Sequence, residues 1–337
     1  MRTPLRLAAV LGTAAAGAVA LAGCGSSASS TTSANSTTSA GNTTSGSSPA
    51  SSGTASTSAA AFPVTVKAGD GAVTISTDPT RIVSLSPTTT EDLYAVGAGS
   101  RVVAVDQDSD YPAGVPKTSL SGLTPNIEAI AKYNPSLVIS SQDSGGLVAG
   151  LKKLGVPVLI EPAAATLDAA YAEIEQVGQA TGHAAQAATL VTSMRQQIAA
   201  DVKQAGSSHK ALAYYWELSA SPFYSATSAT FIGQVVGLFG LRNIADKASK
   251  PADAGYPQLS QEYVVTAKPQ IIFLADNQAA DGGQAPAVVA KRPGWSGIPA
   301  VQDHEVIGLN DDVASRWGPR VPELVAEIAQ AVEQAEK

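Results

Sequence analysis

The residues best suited to acid–base chemistry in this sequence are four aspartates in two short segments. Asp108 and Asp110 lie in DSDYP, and Asp311 and Asp312 open DDVASRWGPR. A carboxylate acts as a general acid or base only beside a reacting group or a nucleophile. No nucleophile–base spacing accompanies these aspartates, and the sequence has neither a glycine-rich phosphate loop nor a G-x-S-x-G elbow. We therefore expect no catalytic residues, no cofactor and no enzymatic activity.

The sequence also gives no support for a metal site, because histidine and cysteine, the usual ligands of zinc, are few. Zinc sites are built from several histidine or cysteine side chains. The chain has one cysteine, and its three histidines, His183, His209 and His304, are scattered. We expect no metal site.

Other loop residues are better suited to holding a ligand than to transforming one. The segment SPTTTE, residues 86–91, follows an apolar run and opens a helical pattern, and Thr88 with Glu91 fits a capping box. Ligands settle at such strand ends in open α/β sheets, although the hydroxyls could also serve only as helix caps. Aromatic residues make up only 5% of the chain, so their recurrence in loops indicates a stacking surface. The candidates in the later loops are Tyr111, Phe223, Tyr224, Tyr256, Asp312, Arg316 and Trp317. We expect Trp216 and Trp295 to lie in the core instead.

Short apolar runs alternate with helical patterns on both sides of a long helical stretch. Before that stretch, a predicted hairpin in FPVTVKAGDGAVTIS is followed by the runs 81–86, 101–106, 137–140 and 156–161, with helical patterns at 88–96, 127–133 and 147–154. The stretch itself covers 167–181 and 184–205. After it come the runs 210–218, 270–276 and 304–309 and the helical patterns 230–239 and 320–336. This alternation predicts α/β lobes with mainly parallel sheets.

Two features of the first α/β stretch recur in the second in the same order. Glu128 precedes Pro135 by seven residues in NIEAIAKYNPSLVI, and Glu262 precedes Pro269 by seven in SQEYVVTAKPQIIF. A Ser/Thr-rich helix start, an apolar helix, a glycine and an arginine also recur, in PTTTEDLYAVGAGSRV and SATSATFIGQVVGLFGLRN. We therefore predict two similar lobes joined by the long helix 184–205.

The first 61 residues have the composition of a targeting signal followed by a tether. Arg2 and Arg6 precede an apolar run over 7–22, as in a secretory signal. The run ends in LAGC, which resembles the lipobox of bacterial lipoproteins, in which the cysteine, here Cys24, is lipidated and becomes the first mature residue. The alternative is an unmodified thiol beside an ordinary cleavage site. Residues 25–61 are almost wholly Ser, Thr, Ala, Gly and Asn, which favours a flexible linker.

The sequence is acidic and divides into five predicted segments. The net charge of −7 argues against general affinity for nucleic acid or anionic lipid. We predict a signal peptide over 1–23, a lipid-anchored linker over 24–61, an N-terminal lobe over 62–183, a connecting helix over 184–206 and a C-terminal lobe over 207–337.

Several motifs in family order carry a resemblance that covers the chain from Pro79 onward. RIVSLSPTTTEDLYAVGAGSRVVAVDQDSDYP, NIEAIAKYNPSLVI and RPGWSGIPAVQDHEVIGL resemble the substrate-binding proteins of ABC importers for vitamin B12 and ferric siderophores. The resemblance implies a class III binding protein: two Rossmann-like α/β lobes bridged by one rigid helix, with the ligand in the cleft between them. It also implies a monomer on the outer face of the cytoplasmic membrane, with an ABC permease and its ATPase as partners. Glu128 and Glu262 would dock onto permease arginines, or each would only complement a helix N-terminus.

Within this family, SPTTTE, DSDYP and DDVASRWGPR look most like the B12-binding branch. That likeness implies a cobalamin or corrinoid ligand, with a ferric siderophore as the alternative and heme third. An anionic siderophore would require several arginines in the cleft, and the resemblance places only Arg316 there. The ligand-binding residues that the resemblance implies are Ser86, Pro87, Thr88, Tyr111, Phe223, Tyr256, Asp312, Arg316 and Trp317. An extracytoplasmic enzyme and an anchored surface protein without a small ligand are the other classes left open.

Overall fold

The computed structural model describes residues 62–69, 71–206, 209, 211–277 and 284–336. The predicted signal peptide, Cys24 and the Ser/Thr-rich linker therefore lie outside the described residues, as does Asp70 in the predicted hairpin turn. The described residues form a mixed α/β structure that contains two four-stranded parallel sheets. None of its helices is both long and apolar enough to cross a bilayer.

The first lobe is built on a parallel sheet whose strands are buried on both faces. Its elements are the hairpin strands β1 (Val64–Ala68) and β2 (Gly71–Ile75), the sheet strands β3 (Ile82–Leu85), β4 (Val102–Val105), β5 (Leu137–Ser140) and β6 (Val158–Ile160), and helices α1 (Pro87–Ala95), α2 (Ile127–Ala131) and α3 (Leu147–Lys152). The sheet order is β4-β3-β5-β6. Every residue of β3 and β5 is buried, which explains why these strands read as continuous apolar runs rather than alternating ones.

Two consecutive helices follow, α4 (Leu167–Ala180) and α5 (Ala184–Ala205). At the helical rise, the 22 residues of α5 span about 33 Å. The helix buries Ala187, Val191, Met194 and Ile198, three or four residues apart, against α4 and against the final helix, α11 (Val321–Ala335). It ends at Gly206, whose φ of 88° a residue with a side chain would rarely adopt. The long helix predicted over 184–205 is therefore present with those bounds.

The second lobe repeats the topology of the first. Its other elements are β7 (Ala213–Glu217), β8 (Ser219–Ala220), β9 (Phe223–Tyr224), β10 (Arg242–Asn243), β11 (Ile271–Leu274) and β12 (Val306–Gly308), with α6 (Phe231–Gly237), α7 (Gln261–Ala267), α8 (Pro286–Val289), α9 (Pro299–Gln302) and α10 (Asp311–Ser315). The sheet order is β10-β7-β11-β12. In both lobes, the strands of the parallel sheet therefore stand in the order second, first, third, fourth, and the sequence echoes correspond to a structural repeat.

One local expectation was wrong: Thr88 and Glu91 do not form a capping box. Helix α1 has Ser86 at its N-cap and begins at Pro87, and no side chain caps it. Proline presets the helical φ and lacks an N–H, so it favours the first helical position. Thr88 therefore lies inside the helix, and the Glu91 carboxylate does not cap it but pairs with side chains outside the helix. Trp216 and Trp295 are fully buried, as expected.

Candidate functional site

Loops from both lobes meet around one cavity of about 610 Å³. The first lobe contributes the residues that follow β3, β4 and β5, and the second contributes α10 and the segment after it. The lining residues are Ser86, Pro87, Thr88, Gln107, Asp108, Asp110, Ser141, Asp311, Asp312, Ser315, Arg316 and Trp317. Most follow the carboxyl end of a parallel strand, which is where open α/β sheets bind ligands. Another cavity of about 500 Å³ lies beside β2 and the amino ends of β5 and β6, and first-lobe residues alone line it.

A chain of hydroxyl groups fixes the loop after β3. Ser84 Oγ lies 2.9 Å from Thr89 Oγ1 and accepts a 2.8 Å hydrogen bond from Thr90 Oγ1, which lies 2.9 Å from Ser109 Oγ. All four residues are buried. This network ties α1 to the loop after β4 and holds the cavity residues Ser86 and Thr88 in place from behind.

Arg316, which lines the cavity, forms ion pairs with carboxylates of both lobes. Its guanidinium donates to Glu91 Oε1 at 2.7 Å and to Asp312 Oδ1 at 2.6 Å, and it lies 3.2 Å from Asp110 Oδ1. Arg320 donates to the same Glu91 carboxylate at 2.6 and 2.8 Å. Glu91 is 1% exposed, so its charge depends on these two arginines for compensation. Both arginines are therefore committed to carboxylates of the protein itself.

Trp317 forms part of the cavity wall and rests on a buried acidic cluster. Its indole N–H donates to Glu173 Oε2 at 2.6 Å. Burial raises the pKa of Glu173 to about 8, so this carboxyl is mostly protonated at neutral pH. Burial, followed by the charges of Glu173, Glu91 and Glu161, also raises the pKa of Asp92 well above its usual value. Glu173 and Asp92, which lie behind Trp317, thus favour their protonated, uncharged forms. Glu91 instead forms ion pairs with Arg316 and Arg320.

The structure brings six of the nine candidate ligand residues to this cavity: Ser86, Pro87, Thr88, Asp312, Arg316 and Trp317. The other three, all aromatic, are not among the residues that line it. The Arg320 guanidinium lies 4.2 Å from the ring centre of exposed Tyr111. Phe223 packs on Trp295 with ring centres 6.0 Å apart, and Tyr256 is exposed outside the cavity. Ligand contact by any of the nine stays a prediction.

Some residues of the site carried no ligand-binding signal in the sequence. Gln107, Ser141 and Ser315 line the cavity, and a systematic reading of strand ends could have found the first two. Glu91 and Glu173 had no such signal. A glutamate in a helix normally faces water, and their partners are 225 and 144 residues away in the sequence.

The two candidate docking glutamates occupy equivalent places in the lobes. Each is exposed and is the second residue of a helix, Glu128 in α2 and Glu262 in α7. Each helix precedes the third strand of its parallel sheet. Hydrogen bonds from its own backbone N–H and from Ser260 lower the pKa of Glu262, so it is ionised at neutral pH. Their role in docking stays a prediction.

No group of three or more His, Cys, Asp or Glu side chains within the described ranges is arranged to hold a metal ion.

Comparison with known proteins identifies the family. The family model described as periplasmic binding protein matches residues 82–313. The chain belongs to the periplasmic binding protein family. It is 31% identical over 288 residues to an uncharacterized ABC transporter substrate-binding lipoprotein, YvrC, of Bacillus subtilis strain 168, covering 82% of this chain and 88% of that one. It is 30% identical to the cobalamin-binding protein of Halobacterium salinarum strain R1, covering 81% and 75%.

Solved structures of similar fold include binders of two different ligands. The vitamin B12 binding protein BtuF of Vibrio cholerae has a TM-score of 0.64 and 28% identity, over 77% of this chain and 99% of that one. The heme-binding protein RhuT of Roseiflexus sp. RS-1 has a TM-score of 0.65 and 26% identity, over 76% and 99%. These matches confirm the family resemblance and the class III fold.

Membership of this family defines the general activity. The protein is a solute-binding component of an ABC importer, in the group of B12, siderophore and heme binders, and it works with a permease and an ATPase. It acts outside the cytoplasm, and its family is a non-enzymatic part of a transporter.

Proposed function

We propose that this protein captures a cobalamin-like corrinoid in the interlobe cleft and delivers it to the permease. The observation that carries this proposal is the pairing of the cleft arginine. Arg316 is 10% exposed and already contacts Glu91, Asp110 and Asp312. The site therefore offers a ligand no unpaired guanidinium among its described lining residues.

The chemistry of the lining suits a large neutral ligand. A corrinoid is a flat macrocycle whose rim carries primary amides, and amides both donate and accept hydrogen bonds. The hydroxyls of Ser86 and Thr88, the Gln107 amide and the aspartates of the cavity complement such a rim, and the Trp317 indole offers an apolar surface. A relative at 30% identity bears the name cobalamin-binding protein, which supports the same choice.

An anionic ligand fits this cleft less well. Ferric catecholates and the propionates of heme are recognised by cationic side chains that are free to form charge-assisted hydrogen bonds. The cleft has no such cation in the described part of the chain, since Arg320 is also bound to Glu91.

Equilibrium dialysis of the mature protein against cyanocobalamin, hemin, a ferric hydroxamate and a ferric catecholate tests the ligand. We expect saturable one-to-one binding of cyanocobalamin and weaker binding of hemin and the ferric catecholate, which are anionic. Tight binding of the ferric hydroxamate in place of cyanocobalamin would favour the siderophore alternative. W317F should weaken cyanocobalamin binding by about tenfold, because the smaller ring removes stacking area from the wall. Y224F, an exposed aromatic outside the cavity, is the matched control. If cyanocobalamin shows no saturable binding up to about 1 mM, the corrinoid assignment is wrong. A dissociation constant above about 1 mM corresponds to negligible binding.

We also propose that Cys24 carries the lipid that holds the protein at the outer face of the cytoplasmic membrane. The LAGC segment and the polar linker after it support this proposal, as does the lipoprotein relative of Bacillus subtilis. C24S is expected to abolish labelling of the protein by a radioactive fatty acid. Persistence of that label on C24S would refute the anchor.

A further inference from the structure

The wall of the interlobe cavity carries an excess of negative charge. Each lobe contributes two aspartates: Asp108 and Asp110 from the first, Asp311 and Asp312 from the second. Arg316 is the single basic residue among the described residues that line the cavity. Carboxylates therefore outnumber guanidinium groups on this surface by three.

Arg316 does not offset that excess toward a ligand. Its nitrogens lie 2.6 to 3.2 Å from carboxylate oxygens of Asp312, Asp110 and Glu91. Arg320, which is 11% exposed, is bound to Glu91 and compensates that buried charge. The positive charge near the cavity is thus already matched by the protein itself.

Asp108 is the cavity carboxylate with the fewest ties to the protein. It is exposed, and its side chain forms no hydrogen bond or salt bridge within the part of the chain that the structure describes. On the opposite lobe, burial raises the pKa of Asp312; Arg316 opposes this rise and the nearby charge of Asp110 adds to it. Carboxylates from both lobes therefore line the cavity.

We infer that the cleft selects among corrinoids by charge, taking cationic and neutral forms in preference to anionic ones. This inference rests on the proposed function, because the site is the interlobe cavity and the carboxylates only set its potential. A cleft lined by one sign of charge concentrates ligands of the opposite sign by roughly tenfold or more, and salt screens the effect.

Three cobalamins of nearly equal shape but different charge test this selection at pH 7. Aquacobalamin is a cation, cyanocobalamin is neutral, and a cyanocobalamin in which one rim amide is hydrolysed to a carboxylate is an anion. By equilibrium dialysis at low salt, aquacobalamin should bind about tenfold or more tightly than the monocarboxylate. This ratio should fall towards one at about 0.5 M salt, where charges are screened within a few ångströms. None of the described histidines lines the cavity, so imidazole coordination of cobalt does not account for such a preference.

Substitution of Asp108 tests whether the cavity carboxylates cause the preference for cationic over anionic cobalamins. D108N should narrow the ratio of aquacobalamin to monocarboxylate affinity several-fold, whereas D303N, an exposed aspartate outside the cavity, should leave it unchanged. Equal affinity for all three cobalamins, or a preference that survives high salt, overturns the charge selection and leaves the corrinoid function standing. Failure of all three to bind overturns the proposed function and this inference with it.

Discussion

The double variant E128K/E262K is expected to lose uptake of the ligand while retaining its affinity for that ligand. Both glutamates are exposed at the start of a helix, and they hold equivalent places on the two lobes. If they face arginines of the permease, lysines in their place put like charges together at both contacts. Such juxtaposition costs several kcal/mol and suppresses binding of the partner, so uptake should fall to background. Neither residue lines the cavity, so ligand binding should be spared.

Uptake of radioactive cobalamin by cells, together with dialysis of the purified variant, separates the two effects. The variant E175K/D303K is the matched control, because it makes the same charge change at exposed acidic residues elsewhere on the surface. Normal uptake by E128K/E262K would eliminate the docking role. Loss of ligand affinity would move the two glutamates into the binding site.

Replacing Glu91 by glutamine is expected to lower the free energy of unfolding by about 3–5 kcal/mol, the usual cost of breaking a buried ion pair from one side. The side chain keeps its shape in E91Q but loses the charge that compensates Arg316 and Arg320. Glu91 is 1% exposed, so water does not replace the lost carboxylate. Urea unfolding at pH 7, followed by circular dichroism, measures the change.

D168N provides the contrast for E91Q. It removes the salt bridge between Asp168 and Arg195, whose side chains are 82% and 53% exposed. An exposed pair contributes at most about 1 kcal/mol, so D168N should unfold almost as the wild type does. If E91Q is no less stable than D168N, the ion pairs of Glu91 do not hold the lobes as described.

The fold could be predicted largely because its signals are local. The β-branched runs at β3, β5 and β11 are buried throughout, so each reads as a strand without knowledge of its neighbours. The helix α5 was bounded correctly because its apolar residues recur at helical spacing and Gly206 ends it. The two-residue strands β8 and β9 were missed, since pairing within the lobe rather than local propensity creates them.

The candidate cavity could be predicted only where strand ends or family motifs form it. Ser86 and Thr88 follow β3, and the family motifs pointed to Arg316 and Trp317, which the structure brings to the same cavity. The sequence did not show that Arg316 is already paired, because its buried partner Glu91 lies 225 residues away. Glu173 was missed for the same reason, because it lies 144 residues from its partner Trp317 in the sequence. Burial of a charge is a tertiary property, and no periodicity in the sequence reports it.

Anomalous diffraction at the cobalt absorption edge, measured from crystals of the protein grown with cyanocobalamin, shows whether a corrinoid binds between the two lobes. We expect one cobalt position inside the cavity bounded by Ser86, Asp108, Asp312 and Trp317. A cobalt elsewhere on the molecule, or none in the cavity at saturating ligand, would contradict it.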